Sequence, residues 1–343
     1  MPVARWMRRL AVAGVLLCFA VVVLGAYVRL SAAGLGCPDW PGCYGKLTPT
    51  AAAQDAAATA AWARPLEVGK AWREMIHRYA VGTLSLMVLG IVALAFAARP
   101  RLVSLPYALA LLATLLVQAL LGALTVTWQL NPLIVTLHLL LGLTTLALLW
   151  WLALSLPLNT WSASAIAMPT RRSSGGGAQP FVTAYRLTLL ALVALALQIA
   201  LGGWTSSNYA AIACPDFPTC QGKLWPPADF RHAFTLWHGL GVNYEGGVLG
   251  NPARIAIHLT HRLGALIASL ALSLAALYVL RQRALGSVRG RAAAVLAALA
   301  LQLGIGASMV LRGFPLWLAT LHTAGAALLL LATLALLRGL RTG

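Results

Sequence analysis

Eight apolar stretches of about 20 residues run through this chain, near residues 10–30, 75–97, 104–127, 133–156, 182–204, 255–280, 292–311 and 316–337. At ~1.5 Å rise per residue, that length carries a helix across the ~30 Å hydrocarbon core of a bilayer. Inside hydrocarbon a backbone must satisfy its own polar groups, and a single spanning segment does so as a helix. The pattern predicts an all-α integral membrane protein with eight transmembrane helices. Composition agrees, since 60% of the 343 residues are hydrophobic and only 9% are charged, against about a quarter charged in soluble domains. The net charge of +18 does not mark a nucleic-acid binder, because the basic residues form no stripe and have no interleaved aromatics. The first stretch follows Arg5, Arg8 and Arg9 as a signal peptide would, but it lacks a small-residue cleavage site and reads as a retained helix.

Arginines in the short loops set the orientation. Arg5, Arg8, Arg9, Arg99, Arg101, Arg171, Arg172, Arg281, Arg283, Arg289, Arg291, Arg338 and Arg341 fall on one side, with no acid among them. The seven acids, Asp39, Asp55, Glu67, Glu74, Asp216, Asp229 and Glu245, fall in or beside two long loops on the other side. The arginine side is then cytoplasmic, and both termini with it. Four of the five cysteines lie in the outer loops, Cys37 with Cys43 and Cys214 with Cys220, where an oxidising compartment favours disulfides. Cys18 sits mid-helix as a small apolar residue.

The chain repeats itself. Residues 24–49 and 201–226 align without a gap at an offset of 177 with twelve of 26 positions identical, and both contain Cys-Pro-Asp, a second Pro, a second Cys and Gly-Lys-Leu. Further on the offset becomes 184 and stays there, mapping His77-Arg78 to His261-Arg262, Gln118 to Gln302, Gly122 to Gly306, and Thr136-Leu137-His138 to Thr320-Leu321-His322. We therefore expect two tandem four-helix bundles, at 1–156 and 182–343, joined by a polar cytoplasmic linker at 157–181. Four helices per half is an even count, so the halves insert in the same direction.

Four of the seven histidines obey the repeat. His77 and His138 lie one to two turns inside the outer ends of the second and fourth spans, and these spans run in the same direction. Two imidazoles at equal depth on facing helices suit the iron of a six-coordinate haem, and His261 and His322 repeat the pair. A lone intramembrane histidine more often bonds a neighbouring helix. Four at related positions, with Gly82, Gly142 and Gly264 near enough to admit a flat macrocycle, favour haem. Zinc and copper usually need three or more close donors. Arg78 and Arg262 suit a haem propionate or interfacial snorkelling equally well. His232 and His238 break the repeat and read as solvated or loop-packing residues.

The halves differ at one telling position. Glu74 stands three residues before His77, and His258 three before His261; residues so spaced share a helix face. A carboxyl at the membrane edge is costly and usually functional, and beside a ligand it can handle protons. The competing reading is a helix cap that complements the macrodipole. We infer a reacting site in the first half and a permanent haem in the second, with His258 in a contact role. The loops CPDWPGC and CPDFPTC read first as staples over the haem face, and second as redox-active pairs, although no neighbour obviously lowers a thiol pKa.

Taken together, Glu-x-x-His-Arg at 74–78, the histidines at 138, 261 and 322, the two Cys-Pro-Asp-x-Pro-x-Cys loops and Asn243-Tyr244-Glu245-Gly246-Gly247 resemble the bacterial haem A synthases, from about residue 10 to 337. The resemblance implies oxidation of the C8 methyl of haem O to the formyl of haem A by successive hydroxylations and loss of water, at the extracytoplasmic side of a bacterial inner membrane. It implies haem b on His261 and His322, and substrate haem O near His77, His138 and Glu74. Its partners would be a membrane enzyme that makes haem O and an electron-transfer partner; a homo-oligomer is left open. Two readings from other classes remain, a dihaem b-type electron-transfer cytochrome and a thiol–disulfide oxidoreductase.

Overall fold

The computed structural model describes residues 2–98, 102–156, 178–239 and 241–342. Its helices are α1 (Pro2–Leu30), α2 (Pro49–Ala53), α3 (Ala56–Ala60), α4 (Val68–Ala97), α5 (Leu105–Thr127), α6 (Pro132–Ser155), α7 (Ala178–Ser207), α8 (Phe230–Ala233), α9 (Asn251–Arg281), α10 (Arg289–Leu311) and α11 (Leu316–Thr342), with 3-10 turns at Ala211–Ala213 and Arg283–Val288. Eight of them are long and apolar enough to cross a membrane, and no strand occurs among the described residues. The protein is a multi-pass membrane protein. Residues 157–177 of the expected linker, with Arg171 and Arg172, lie outside the described residues, as do Arg99 and Arg101.

Local sequence explains the ends. Asn131 accepts from the N–H groups of Leu133 and Ile134 to start α6, with Pro132 in its first turn, where a missing N–H costs nothing. Asp229 caps α8 in the same way. Helix α4 starts at Val68 rather than near 75, and α9 at Asn251 rather than near 255, because hydropathy detects only the lipid-matched part of a helix whose polar first turns continue beyond it.

Helices α1, α4, α5 and α6 touch in a ring in that order, and α7, α9, α10 and α11 form a second ring. Contacts of α1 with α11, and of α6 with α7 and α11, join the rings. Helices α4 and α6 are thus diagonal partners, and so are α9 and α11. The interior is aliphatic, with Leu146, Leu149, Leu272, Val295 and Leu336 almost fully buried. The outside is aliphatic too. Leu116, Leu197 and Leu270 are about 60% exposed, as expected for helices that face lipid. Lipid is as apolar as leucine, so close packing and interhelical hydrogen bonds must hold such helices together. Trp150 Nε1 donates to the Leu331 carbonyl at 2.9 Å, and the Thr136 and Ser207 hydroxyls lie 3.2 Å apart where α6 meets α7. A Cβ on Gly203 would stand 3.1 Å from Thr136 at that crossing.

Candidate haem sites

Each of the four repeat-related histidines lies against a glycine of a neighbouring helix. A Cβ on Gly25 of α1 would stand 2.9 Å from the ring of His77 on α4, and one on Gly122 of α5 would stand 3.3 Å from His138 on α6. In the second ring Gly202 of α7 faces His261 of α9 at 3.2 Å, and Gly306 of α10 faces His322 of α11 at 3.0 Å. These glycines, not Gly82, make room for the imidazoles: Gly82 has nothing within 4 Å of an added Cβ, while Gly142 and Gly264 face glutamine amides. The reason is rotational. A glycine on the histidine's own helix opens space beside it, but the ring itself projects onto the adjacent helix.

The rings of His261 and His322 lie 6.5 Å apart between centroids and are inclined at 75°. A single iron between two imidazole nitrogens needs roughly 2 Å on each side plus roughly 1 Å to each ring centre, about 6 Å in all. The pair fits haem iron. Among the described residues no group of three or more His, Cys, Asp or Glu could hold a bare metal ion. Buried polar atoms without partners surround the histidines, namely Nδ1 of His77 and His138 and Oε1 of Gln118, Gln198 and Gln302. In the sequence Gln118 and Gln302 stand out only as repeat partners, and neither Gln198 nor the four ring-facing glycines is marked there as a site residue. The pairs Gly25/Gly202, Gly122/Gly306 and Gln118/Gln302 are marked by the repeat, whereas Gln198 has Val21 in the equivalent place and carries no such signal.

Glu74 is 5% exposed and lies well past the first turn of α4, whose N-cap is Glu67. The cap reading of Glu74 therefore fails on geometry. Its Oε2 instead accepts the N–H of Cys37 at 2.9 Å, and its Oε1 accepts from Arg78 at 2.5 Å. Arg78 also donates to the carbonyls of Asp39 (2.8 Å), Pro41 (3.2 Å) and Gly42. Arg262 repeats this work with the carbonyls of Asp216 and Thr219 at 2.7 Å, Pro218 at 3.2 Å and Cys214 at 3.4 Å. Both arginines brace a cysteine loop, a task that neither a propionate contact nor snorkelling describes. His258 is buried against Phe314, with ring centroids 6.4 Å apart.

The loops are built alike. Disulfides join Cys37 to Cys43 and Cys214 to Cys220. Asp39 accepts the N–H groups of Tyr44 (2.6 Å) and Gly45 (2.8 Å), and Asp216 those of Gln221 (2.6 Å) and Gly222 (2.9 Å). The Thr219 hydroxyl, with the Gly222 and Gln221 amides, holds the Asp216 carboxyl below its ordinary range. Gly45 and Gly222 turn the chain at φ of 71° and 74°, the left-handed region that glycine adopts most freely. All four bridged cysteines are 0% exposed. Thiol exchange needs access to sulfur, so the staple reading is favoured.

The loop after α7 reaches across the first ring. Tyr244 is buried with Leu35, Val126 and Leu130, and its N–H donates to the Gln129 carbonyl at 3.0 Å. Trp237 packs edge-on to Trp128 at 5.3 Å, and Glu245 pairs with Arg64 at 2.6 Å. Arg64 holds the Glu245 carboxyl below its usual range. Of the histidines outside the repeat, His232 pairs with Asp229 at 2.6 Å, and His238 is exposed 6.1 Å from the Tyr244 ring.

A family model described as cytochrome oxidase assembly protein, COX15-CtaA, matches residues 8–334. The chain belongs to this family. It is 41% identical to the Heme A synthase of Shewanella oneidensis over 330 residues, which cover 95% of this chain and 93% of that protein. It is 29% identical to the Heme A synthase of Caulobacter sp. strain K31 over 96% of this chain and 93% of that one. Both histidine pairs, both disulfide loops and Glu74 lie within the span matched by the COX15-CtaA model.

Proposed function

We propose that the protein is a haem A synthase, an oxidoreductase that converts the C8 methyl of haem O to the formyl of haem A. The two rings serve as tandem halves, each holding one macrocycle between diagonal helices, with the loops on the extracytoplasmic side and both termini in the cytoplasm. His261 and His322 would hold haem b, and His77 and His138 the substrate haem. When bound, the macrocycle and its iron supply the electron transfer and oxygen chemistry.

The protein's own residues position and seal. Gly25, Gly122, Gly202 and Gly306 let the imidazoles lie where a macrocycle can reach them. The Cys37–Cys43 loop and Tyr244 cover the outer end of the first site, and the Cys214–Cys220 loop that of the second, limiting water there. Glu74 supplies a carboxylate one turn from His77, oriented by the Cys37 N–H and by Arg78, where it can accept a proton as the methyl is oxidised. The observation that carries the division of labour is that this carboxylate exists in the first half alone, with His258 in its place in the second.

The test is haem extraction from a synthase deletion strain carrying this chain. Restored haem A supports the reading; haem O alone, with a b-type spectrum in the purified protein, would make it a dihaem electron-transfer cytochrome. His261→Ala or His322→Ala should remove the resident haem, while His77→Ala should leave most of it.

A further inference from the structure

The four histidines are not held alike. Gln198 of α7 places Nε2 3.0 Å from His261 Nδ1 and donates to the His261 carbonyl at 3.0 Å. Gln302 of α10 does the same at His322, at 3.3 Å from Nδ1 and 3.1 Å from the carbonyl. Gln118 of α5 lies 3.4 Å from His138 Nε2 and donates to the His138 carbonyl at 3.0 Å. Each amide is seated against a glycine on the histidine's own helix: Gln118 on Gly142, Gln198 on Gly264 and Gln302 on Gly325.

His77 lacks both parts of this device. Gln198 stands four residues before Gly202, the glycine that faces His261. Four residues before Gly25, which faces His77, stands Val21. Three residues after His261 comes the seat glycine Gly264; three after His77 comes Ala80. The Nδ1 atoms of His77 and His138 are both buried without a partner, but His138 has Gln118 beside its Nε2 and on its carbonyl, whereas among the described residues no glutamine stands at His77.

A ligating imidazole has one nitrogen on the metal and must pair its other N–H, and that pairing fixes the tautomer, the ring angle and the ligand strength. Each glutamine turns Nε2 toward its histidine and leaves Oε1 without a partner; rotating the amide about its last bond exchanges donor for acceptor, so Oε1 can take the imidazole N–H in exchange for the bond to the backbone carbonyl. We propose that Gln118, Gln198 and Gln302 are positioning residues that each hold one iron ligand, and that Val21 leaves His77 as the ligand that lets go. This rests on the haem-site reading above and deepens it. Two held ligands keep the second-half haem in place, whereas one held and one unheld ligand suit a macrocycle that enters as substrate and leaves as product.

The test follows haem transfer from the purified full-length protein to excess apomyoglobin by absorbance. Gln198→Leu and Gln302→Leu should speed loss of the resident haem about 10–100-fold. Gln198→Glu keeps an acceptor but loses the donor to the His261 carbonyl, and should lose haem more slowly than Gln198→Leu. The reverse variant, Val21→Gln with Ala80→Gly, is made in a His261→Ala background and should retain haem that the His261→Ala protein loses. Wild-type rates in both leucine variants, or equal rates in Gln198→Leu and Gln198→Glu, would overturn the inference. Should the leucine variants not fold, failure of the Val21→Gln/Ala80→Gly protein to retain haem would overturn it instead. Full haem retention by His261→Ala and His322→Ala would sink the underlying two-site reading, a different result from any of these.

Discussion

Replacing Glu74 by glutamine separates chemistry from architecture. The carboxylate accepts two bonds, from the Cys37 N–H at 2.9 Å and from Arg78 at 2.5 Å. An amide of the same size keeps one acceptor and turns an NH2 toward the other donor. The loss is one charge-assisted hydrogen bond in a site where the two side chains are 12% and 6% exposed, worth about 1.5–3 kcal/mol. Arg78 keeps three carbonyl partners, so the lower end of that range applies. About 2 kcal/mol spread over a stapled loop does not dismantle eight packed helices. The variant should therefore insert, keep its disulfides and hold its second-half haem. It should nevertheless make little haem A, and haem O or a hydroxymethyl intermediate should accumulate. The assay is the ratio of haem A to its precursors in membranes with matched amounts of protein. Arg78→Gln is the control, because it loosens the same loop more severely while retaining the carboxylate and its bond from the Cys37 N–H. A wild-type ratio in Glu74→Gln would refute the proton-handling role. Equal loss of product in both variants, with the Cys37–Cys43 loop protease-sensitive in both, would show that Glu74 acts by bracing.

Gly306→Ala places a methyl 3.0 Å from the His322 ring, so the ring must shift and the low-spin haem absorbance per chain should fall; unchanged occupancy would remove the glycine seats from the site. Cys214→Ser with Cys220→Ser opens a disulfide of sequence separation 6 and should cost about 2 kcal/mol, read as a lower thermal midpoint in detergent with haem still bound. Glu245, held low by Arg64, contributes stability that is present above the ordinary carboxylate pKa and is lost as pH falls through its depressed folded value. Hydrogen exchange around residues 241–247 should rise on acidification below about pH 4, by less than ~1 kcal/mol because the pair is partly exposed. Glu245→Gln should abolish that dependence, and a persistent pH response would assign it to another group.

The spanning helices were legible in the sequence because lipid imposes one requirement over a fixed length, and each stretch meets it independently of its neighbours. The repeat was legible because His77, His138, His261 and His322 keep one spacing across separate helices, which brought the ligand candidates out of a single chain. What faces a histidine is a different kind of fact. Gly25 belongs opposite His77, and Gln198 beside His261, only because α1 packs on α4 and α7 on α9 at one rotation, and no local pattern encodes that rotation. The same holds for Arg78 and Arg262, whose interfacial positions fit a propionate or a loop carbonyl equally well until the loop is folded against them. Tyr244, more than a hundred residues from Gln129 in sequence, packs on the first ring because the joined rings place the loop after α7 above the α5–α6 turn. Chemistry that needs a residue type at a fixed spacing along one helix can be read from sequence; chemistry that needs two helices to meet waits for the packing.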